Sequence, residues 1–183
     1  MASPRRSATR AASRSADASY DAALLLGPLY HLVNRDERVG ALAEARRVVR
    51  PGGVIAAAAI SRFASLLDGR KHRYLGSPTF DAIVERDLRD GQRRNPGGET
   101  EFFTTAYFHR PGELEGEVRD ANLAFDAVFG IEGPGWLLSG LWDDPRGRES
   151  LLRVARAVER EPSLLGASDH LLALTYRPDV PEV

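Results

Sequence analysis

Two short runs built only of apolar residues, Ala22 to Leu26 and Val54 to Ile60, constrain this chain more than any other feature. Each is flanked by chain-turning residues, Gly27-Pro28 after the first and Pro51-Gly52-Gly53 before the second. A short, wholly apolar run bounded in this way suits a strand buried on both faces. Between them, Asn34 followed by Glu37 makes a capping pattern, and Val39, Leu42, Ala43 and Val49 recur at roughly helical spacing. That helix is expected to stop near Arg50, because the residue before Pro51 is pushed out of the helical region. Residues 20–60 therefore read as strand, helix, strand with short links. Such a βαβ unit predicts a parallel sheet covered by helices.

The remaining elements are less sharply marked. Ser77-Pro78 suits the start of a helix with Phe80, Ile83, Val84 and Leu88 on one face. Gly91 to Gly98 is a polar loop, and Phe102, Phe103, Tyr107 and Phe108 form an aromatic patch in an extended stretch. Pro111 opens a helix with Leu114, Val118 and Ala121, and Leu123, Phe125, Ala127 and Phe129 alternate as in a half-buried strand. Asp144-Pro145 caps a helix carrying Leu151, Val154, Ala155 and Val158, and Leu171 to Tyr176 is a last strand.

Composition narrows the class. A chain of 183 residues, 43% apolar and 28% charged, suits one soluble globular domain. With no cysteine, disulfides, thiolate metal sites and cysteine nucleophiles are excluded. The expected compartment is reducing, and the expected location is the cytoplasm. Val54 to Ile60 is far shorter than the ~20 apolar residues of a membrane span, so no membrane partner is expected. A net charge of −1 lacks the basic footprint of nucleic-acid binding. Arg5, Arg6, Arg10 and Arg14 stand against Asp17 alone in residues 1–19, which hold no Leu, Ile, Val or Phe. This segment is expected to be a disordered, Arg-rich leader. It has no apolar centre of a secretory signal, while its composition also suits a transit peptide or a weak arm for nucleic acid.

The order of elements says α/β and no more. The segments YDAALLLGPLYHL and EARRVVRPGGVIAAAAISR say more. Together they resemble the middle of the class I S-adenosylmethionine-dependent methyltransferases, in the small-molecule branch whose fourth strand ends in an apolar-Gly-Pro-Leu-Tyr-His-Leu turn. Arg47 to Gly53 is similar to that family's entry into its fifth strand. EFFTTAYFHRP, FGIEGPGW and DHLLALTYRP resemble its C-terminal part. The resemblance implies a Rossmann-like fold comprising the fourth to seventh strands, helices on both faces and the last strand antiparallel. These enzymes share a glycine-rich loop after the first strand, which lets the backbone approach the cofactor closely, and an acid ending the second, which hydrogen-bonds its ribose hydroxyls. Neither has a counterpart in this chain. The expectation is a partial domain over residues 20–183, with 65–108 as a substrate-lid insertion.

The resemblance also implies S-adenosylmethionine as cofactor and a small molecule as methyl acceptor, with weak or no activity by the chain alone. Leu26, Gly27, Pro28 and Tyr30 are expected to line the cofactor pocket; the plainer reading is that Gly27-Pro28 only turns the chain. His31 is the candidate catalytic residue, since a histidine with a pKa of about 6.5 can take an acceptor's proton. It could equally orient the cofactor, because methyl transfer needs chiefly an in-line approach. Arg62, Tyr107 and Trp136 are candidates for substrate binding, against the alternatives of a surface ion pair for Arg62 and core packing for the aromatics. His72, His109 and His170 share no metal-ligand spacing, so no metal is expected. A reading from another class is a non-catalytic module: a sheet cut at its fourth strand exposes an edge, through which the chain would form a homodimer or pair with a partner.

Overall fold

The computed structural model describes residues 15–94, 105–137, 139–141 and 143–179. The βαβ unit forms as β1 (Tyr20–Leu25), a single helical turn α1 (Pro28–His31), α2 (Arg35–Val48) and β2 (Val49–Ser61). Asn34 caps α2, its side-chain oxygen accepting from the backbone N of Asp36 at 2.8 Å rather than from that of Glu37. β2 begins five residues earlier than the apolar run, because Val49 already pairs with Tyr20 and the ladder resumes at Ala22 opposite Val54. The intervening Pro51-Gly52-Gly53 forms an irregularity in the ladder. Gly53 is required there: a Cβ would stand 2.7 Å from the Asp21 carbonyl oxygen and press on Val49.

The chain continues through α3 (Ala64–His72), α4 (Pro78–Asp90), β3 (Gln92–Arg93), β4 (Ala106–His109), α5 (Pro111–Asp120), β5 (Ala124–Gly130), α6 (Pro145–Val158) and β6 (His170–Tyr176). The sheet runs β3-β4-β2-β6-β5, with β1 also paired to β2. β1 and β4 are parallel to β2, while β6 and β5 are antiparallel to their neighbours. β6 occupies one edge of β2 along Val54–Ile60, so β1 and β4 must lie in line along the other. The last strand is antiparallel, as the resemblance implies. Phe102 and Phe103 lie outside the described residues.

Directly opposed residues share a face, which sorts the sheet into two sides. On one side Leu25, Ile55, Ala57, Ala59, Leu171 and Ala173 pack beneath α2 and α5 through Leu42, Ala45, Val48, Leu114 and Val118. This is the main core. On the other, Ile60, Phe108, Ala106 and Ala64 form a smaller cluster with Tyr30 against it. β1 departs from the expectation of burial on both faces: Leu25 is buried, but Leu24 is 69% exposed. The reason is that α2 covers one side of β1 only. Alternation in β5 is broken by a bulge at Phe125–Ala127, and Val154 of α6 faces solvent where Leu151 and Ala155 face inward.

Candidate active site

Ligands of open α/β sheets bind beyond the C-terminal ends of the parallel strands. Here that edge is made by Leu25 of β1 with Leu26 after it, Ser61 of β2 with Arg62 after it and His109 of β4, joined by the start of the antiparallel β6. Leu26 follows β1 with its side chain 59% exposed. Pro28 sets the first turn of α1, where its missing N–H costs nothing. Leu29 is buried, and Tyr30 returns its hydroxyl to the Leu26 carbonyl at 3.3 Å. His31 is exposed, its ring tilted against Tyr30 with centroids 4.7 Å apart.

A buried guanidinium anchors the chain where it leaves this turn. Arg38 donates from Nη1 to the carbonyls of Leu32 and Val33, at 2.9 and 3.0 Å. Its Nε and Nη2 clasp Glu117 of α5 at 2.6–3.1 Å, and its guanidinium carbon lies 3.6 Å from the centroid of the Tyr107 ring. Glu117 also meets His109 Nε2 at 3.2 Å. Burial pulls the His109 imidazole below its usual pKa and outweighs the pull of the carboxylate. Burial would raise Glu117, yet His109 and Arg38 together hold its carboxyl lower than usual. His109 Nδ1 is buried without a hydrogen-bond partner among the described residues.

Arg62 and Tyr107 join this network from the side. Arg62 is buried, donating from Nε to the Phe108 carbonyl at 2.8 Å and from Nη2 to both Glu113 oxygens at 2.8 and 2.6 Å. Its Nη2 also donates to the Tyr107 hydroxyl at 3.3 Å, which in turn donates to Glu113 at 3.3 Å. Arg62 is thus neither a surface ion pair nor a free charge; its Nε and Nη2 are committed to Phe108, Tyr107 and Glu113. Burial and the Glu113 charge push the Tyr107 phenol up. Trp136 lies on a 3-10 turn, Gly133–Leu137, on the way out of β5, and its side chain falls outside the described residues. A second buried group, Ser65, Asp87 and Arg93, ties α3 and α4 to β3, with Arg93 donating to Asp87 at 2.7 Å and to Ser65 at 2.9 Å.

The structure adds one cluster that sequence reasoning missed. His170 opens β6 directly opposite Ile60, so it shares the face on which Ile60, Phe108 and Tyr30 pack. Its Nδ1 lies 2.7 Å from Glu132 Oε1, while Glu132 Oε2 accepts from the His170 backbone N at 3.0 Å and from Ser168 Oγ at 2.8 Å. Glu132 and His170 stand 38 positions apart, and no motif spacing connects them. The available signal was weaker: each is a polar residue at the same end of two adjacent antiparallel strands. Among the described residues, no group of three or more His, Cys, Asp or Glu could hold a metal ion, and no helix is long and apolar enough to cross a membrane.

Comparison with known proteins puts this edge in a family setting. A family described as a methyltransferase domain matches residues 6–57, which contain β1, α1, α2 and most of β2. No curated protein matches the chain. Among solved structures, a SAM-dependent methyltransferase of Methanosarcina mazei aligns at 20% identity and a TM-score of 0.51, over 91% of this chain and 63% of its own. An S-adenosylmethionine-dependent methyltransferase of Mesorhizobium loti aligns at 12% identity and a TM-score of 0.53, over 91% and 66%. The chain therefore spans less than two thirds of the length of either.

S-adenosylmethionine is the cofactor that this fold and domain imply. The described residues fit one wall of a site for it: Leu26 offers an exposed apolar side chain at the open end of a parallel strand. The turn from Leu26 to Tyr30 carries no charged side chain, so contacts with the cofactor's ribose hydroxyls and amino-acid head would fall to backbone groups or to residues elsewhere. The chain has the fold of the class I S-adenosylmethionine-dependent methyltransferases, and over residues 6–57 it is similar to a methyltransferase domain.

Proposed function

We propose that the chain takes part in methyl transfer from S-adenosylmethionine to a small-molecule acceptor at the C-terminal edge of β1 and β2. The observation that carries this reading is the turn from Leu26 to His31, which exposes the apolar Leu26 and is followed at Leu32 and Val33 by carbonyls that the Glu117-paired Arg38 binds. Leu26, Gly27, Pro28 and Tyr30 are the residues that would hold the cofactor, with His31 at the rim. When bound, the cofactor supplies an electrophilic methyl group on a sulfonium. The work of the protein is to fix the approach of the acceptor and to keep the reacting atoms dry. Tyr107 is a candidate for the acceptor side, and Arg62 acts on it by holding its hydroxyl and Glu113 in place. The test is calorimetric titration of S-adenosylmethionine and S-adenosylhomocysteine into the full chain. Saturable binding that weakens in Leu26→Asp is expected; no binding by a folded sample overturns the reading.

A second reading has its own observation. Leu24 of β1 and Leu26 just after it are exposed, and β1 pairs only with β2 among the described residues. In this reading the chain forms a homodimer through that strand. Sedimentation would show a dimer that Leu24→Lys disperses, and a monomer at all concentrations would exclude it.

A further inference from the structure

We propose that His170, held by Glu132, is the proton acceptor of this edge, taking the proton from an acceptor hydroxyl or amine as that atom gains its methyl group. The inference rests on the methyl-transfer reading above and adds the class of acceptor, one that must lose a proton.

The geometry is that of a base and its orienting carboxylate. Glu132 is fixed by its own surroundings before it meets the ring. Ser168 is buried, donates to Glu132 Oε2 at 2.8 Å, and accepts from the backbone N of Glu132 at 2.9 Å and of Gly133 at 3.1 Å. The backbone N of His170 donates to the same carboxylate oxygen. What remains is Oε1, aimed at His170 Nδ1 at 2.7 Å. A neutral imidazole donating from Nδ1 carries its lone pair on Nε2. Among the described residues Nε2 has no hydrogen-bond partner, and the side chain is 41% exposed, so that lone pair is open to a ligand.

The position suits the role. His170 lies on the face of Ile60, against which Tyr30 packs. The charged groups around it are Glu132 from the loop after β5, Asp169 with a carboxylate oxygen 3.8 Å from Nδ1, and Asp68 and Lys71 of α3, which act on Asp169. The balance is acidic and favours an imidazolium once it forms. The hydrogen bond to Glu132 accordingly raises the His170 pKa above its usual value. In the step itself, a lone pair on the acceptor oxygen or nitrogen forms the new bond to carbon. The electron pair of the broken sulfur–carbon bond stays on sulfur, and the acceptor's proton passes to Nε2. Glu132 is a positioning residue: it fixes the tautomer and offsets the new charge.

Two measurements on the full chain test this without turnover. Ring nitrogen NMR is expected to show His170 protonated at Nδ1 and titrating above about 6.5, with Glu132→Gln moving that titration to lower pH. Diethylpyrocarbonate is expected to modify His170 well before the buried His109. With a panel of phenols and primary amines as acceptors, His170→Gln is expected to lower kcat about 100-fold while S-adenosylhomocysteine affinity is unchanged. Glu132→Gln is expected to shift the acid limb of the rate profile to lower pH, which a merely structural carboxylate would not do. A chain that binds S-adenosylhomocysteine but carries a protonated Nε2, resists modification at His170, or loses no rate in His170→Gln overturns this inference alone. A chain that binds neither cofactor form overturns the methyl-transfer reading and the role assigned here with it.

Discussion

Arg38 and Glu117 are each almost wholly buried, so neither charge has water to fall back on. Removing one partner leaves the other stranded. Arg38→Met is expected to cost about 3–5 kcal/mol in urea denaturation, whereas the double replacement Arg38→Met with Glu117→Leu recovers much of the loss. Two histidines give the pH dependence opposite signs. Burial lowers His109, so the unfolded chain binds its proton first and stability falls as pH drops below about 6.5. Glu132 raises His170, so its contribution is complete below about 6.5 and is lost as pH rises through the folded value. Thermal unfolding across pH is therefore expected to show greatest stability between these limbs. His170→Gln should flatten the alkaline limb and His109→Gln the acid one. At this scale the sequence was least legible. Arg62 follows a strand like any surface arginine, and only the packing of β4 and α5 turns it inward.

Elements were legible where local chemistry sets their ends. Asn34 and the Pro51-Gly52 stop bracket α2, and Asn34 forms the cap through the backbone N of Asp36. Asn34→Ala is expected to cost about 1 kcal/mol in the same denaturation assay. Asp144 likewise caps α6, accepting from the backbone N of Gly147 at 2.7 Å. What local chemistry does not encode is which side of an element is covered. The run Ala22 to Leu26 is apolar throughout, yet α2 covers one side of β1 and leaves Leu24 in solvent. The pairing of Glu132 with His170 is hidden for the same reason, since the alignment of β5 with β6 creates it. Gly53 gives the sharpest test at this scale. Gly53→Val is expected to overpack against the Asp21 carbonyl and Val49 and to cost about 1–3 kcal/mol, read as a lower Tm.

The whole molecule has one thoroughly buried side and one working edge. The main core under α2 and α5 supports the strand ends, and the buried network of Arg38, Glu117, His109, Tyr107, Glu113 and Arg62 ties α1, α2, α5 and β4 into that support. Leu114→Ala, at the centre of that core, is expected to cost about 2–5 kcal/mol. The central claim is that this rigid support presents the turn from Leu26 to His31 to S-adenosylmethionine. Amide chemical-shift mapping of the full chain during titration with S-adenosylmethionine tests it most directly. Saturable shifts concentrated at Leu26, Gly27, Tyr30 and His31 are expected. Shifts confined to α4, α6 or the outer face of β5, or none at all in a folded sample, would contradict it.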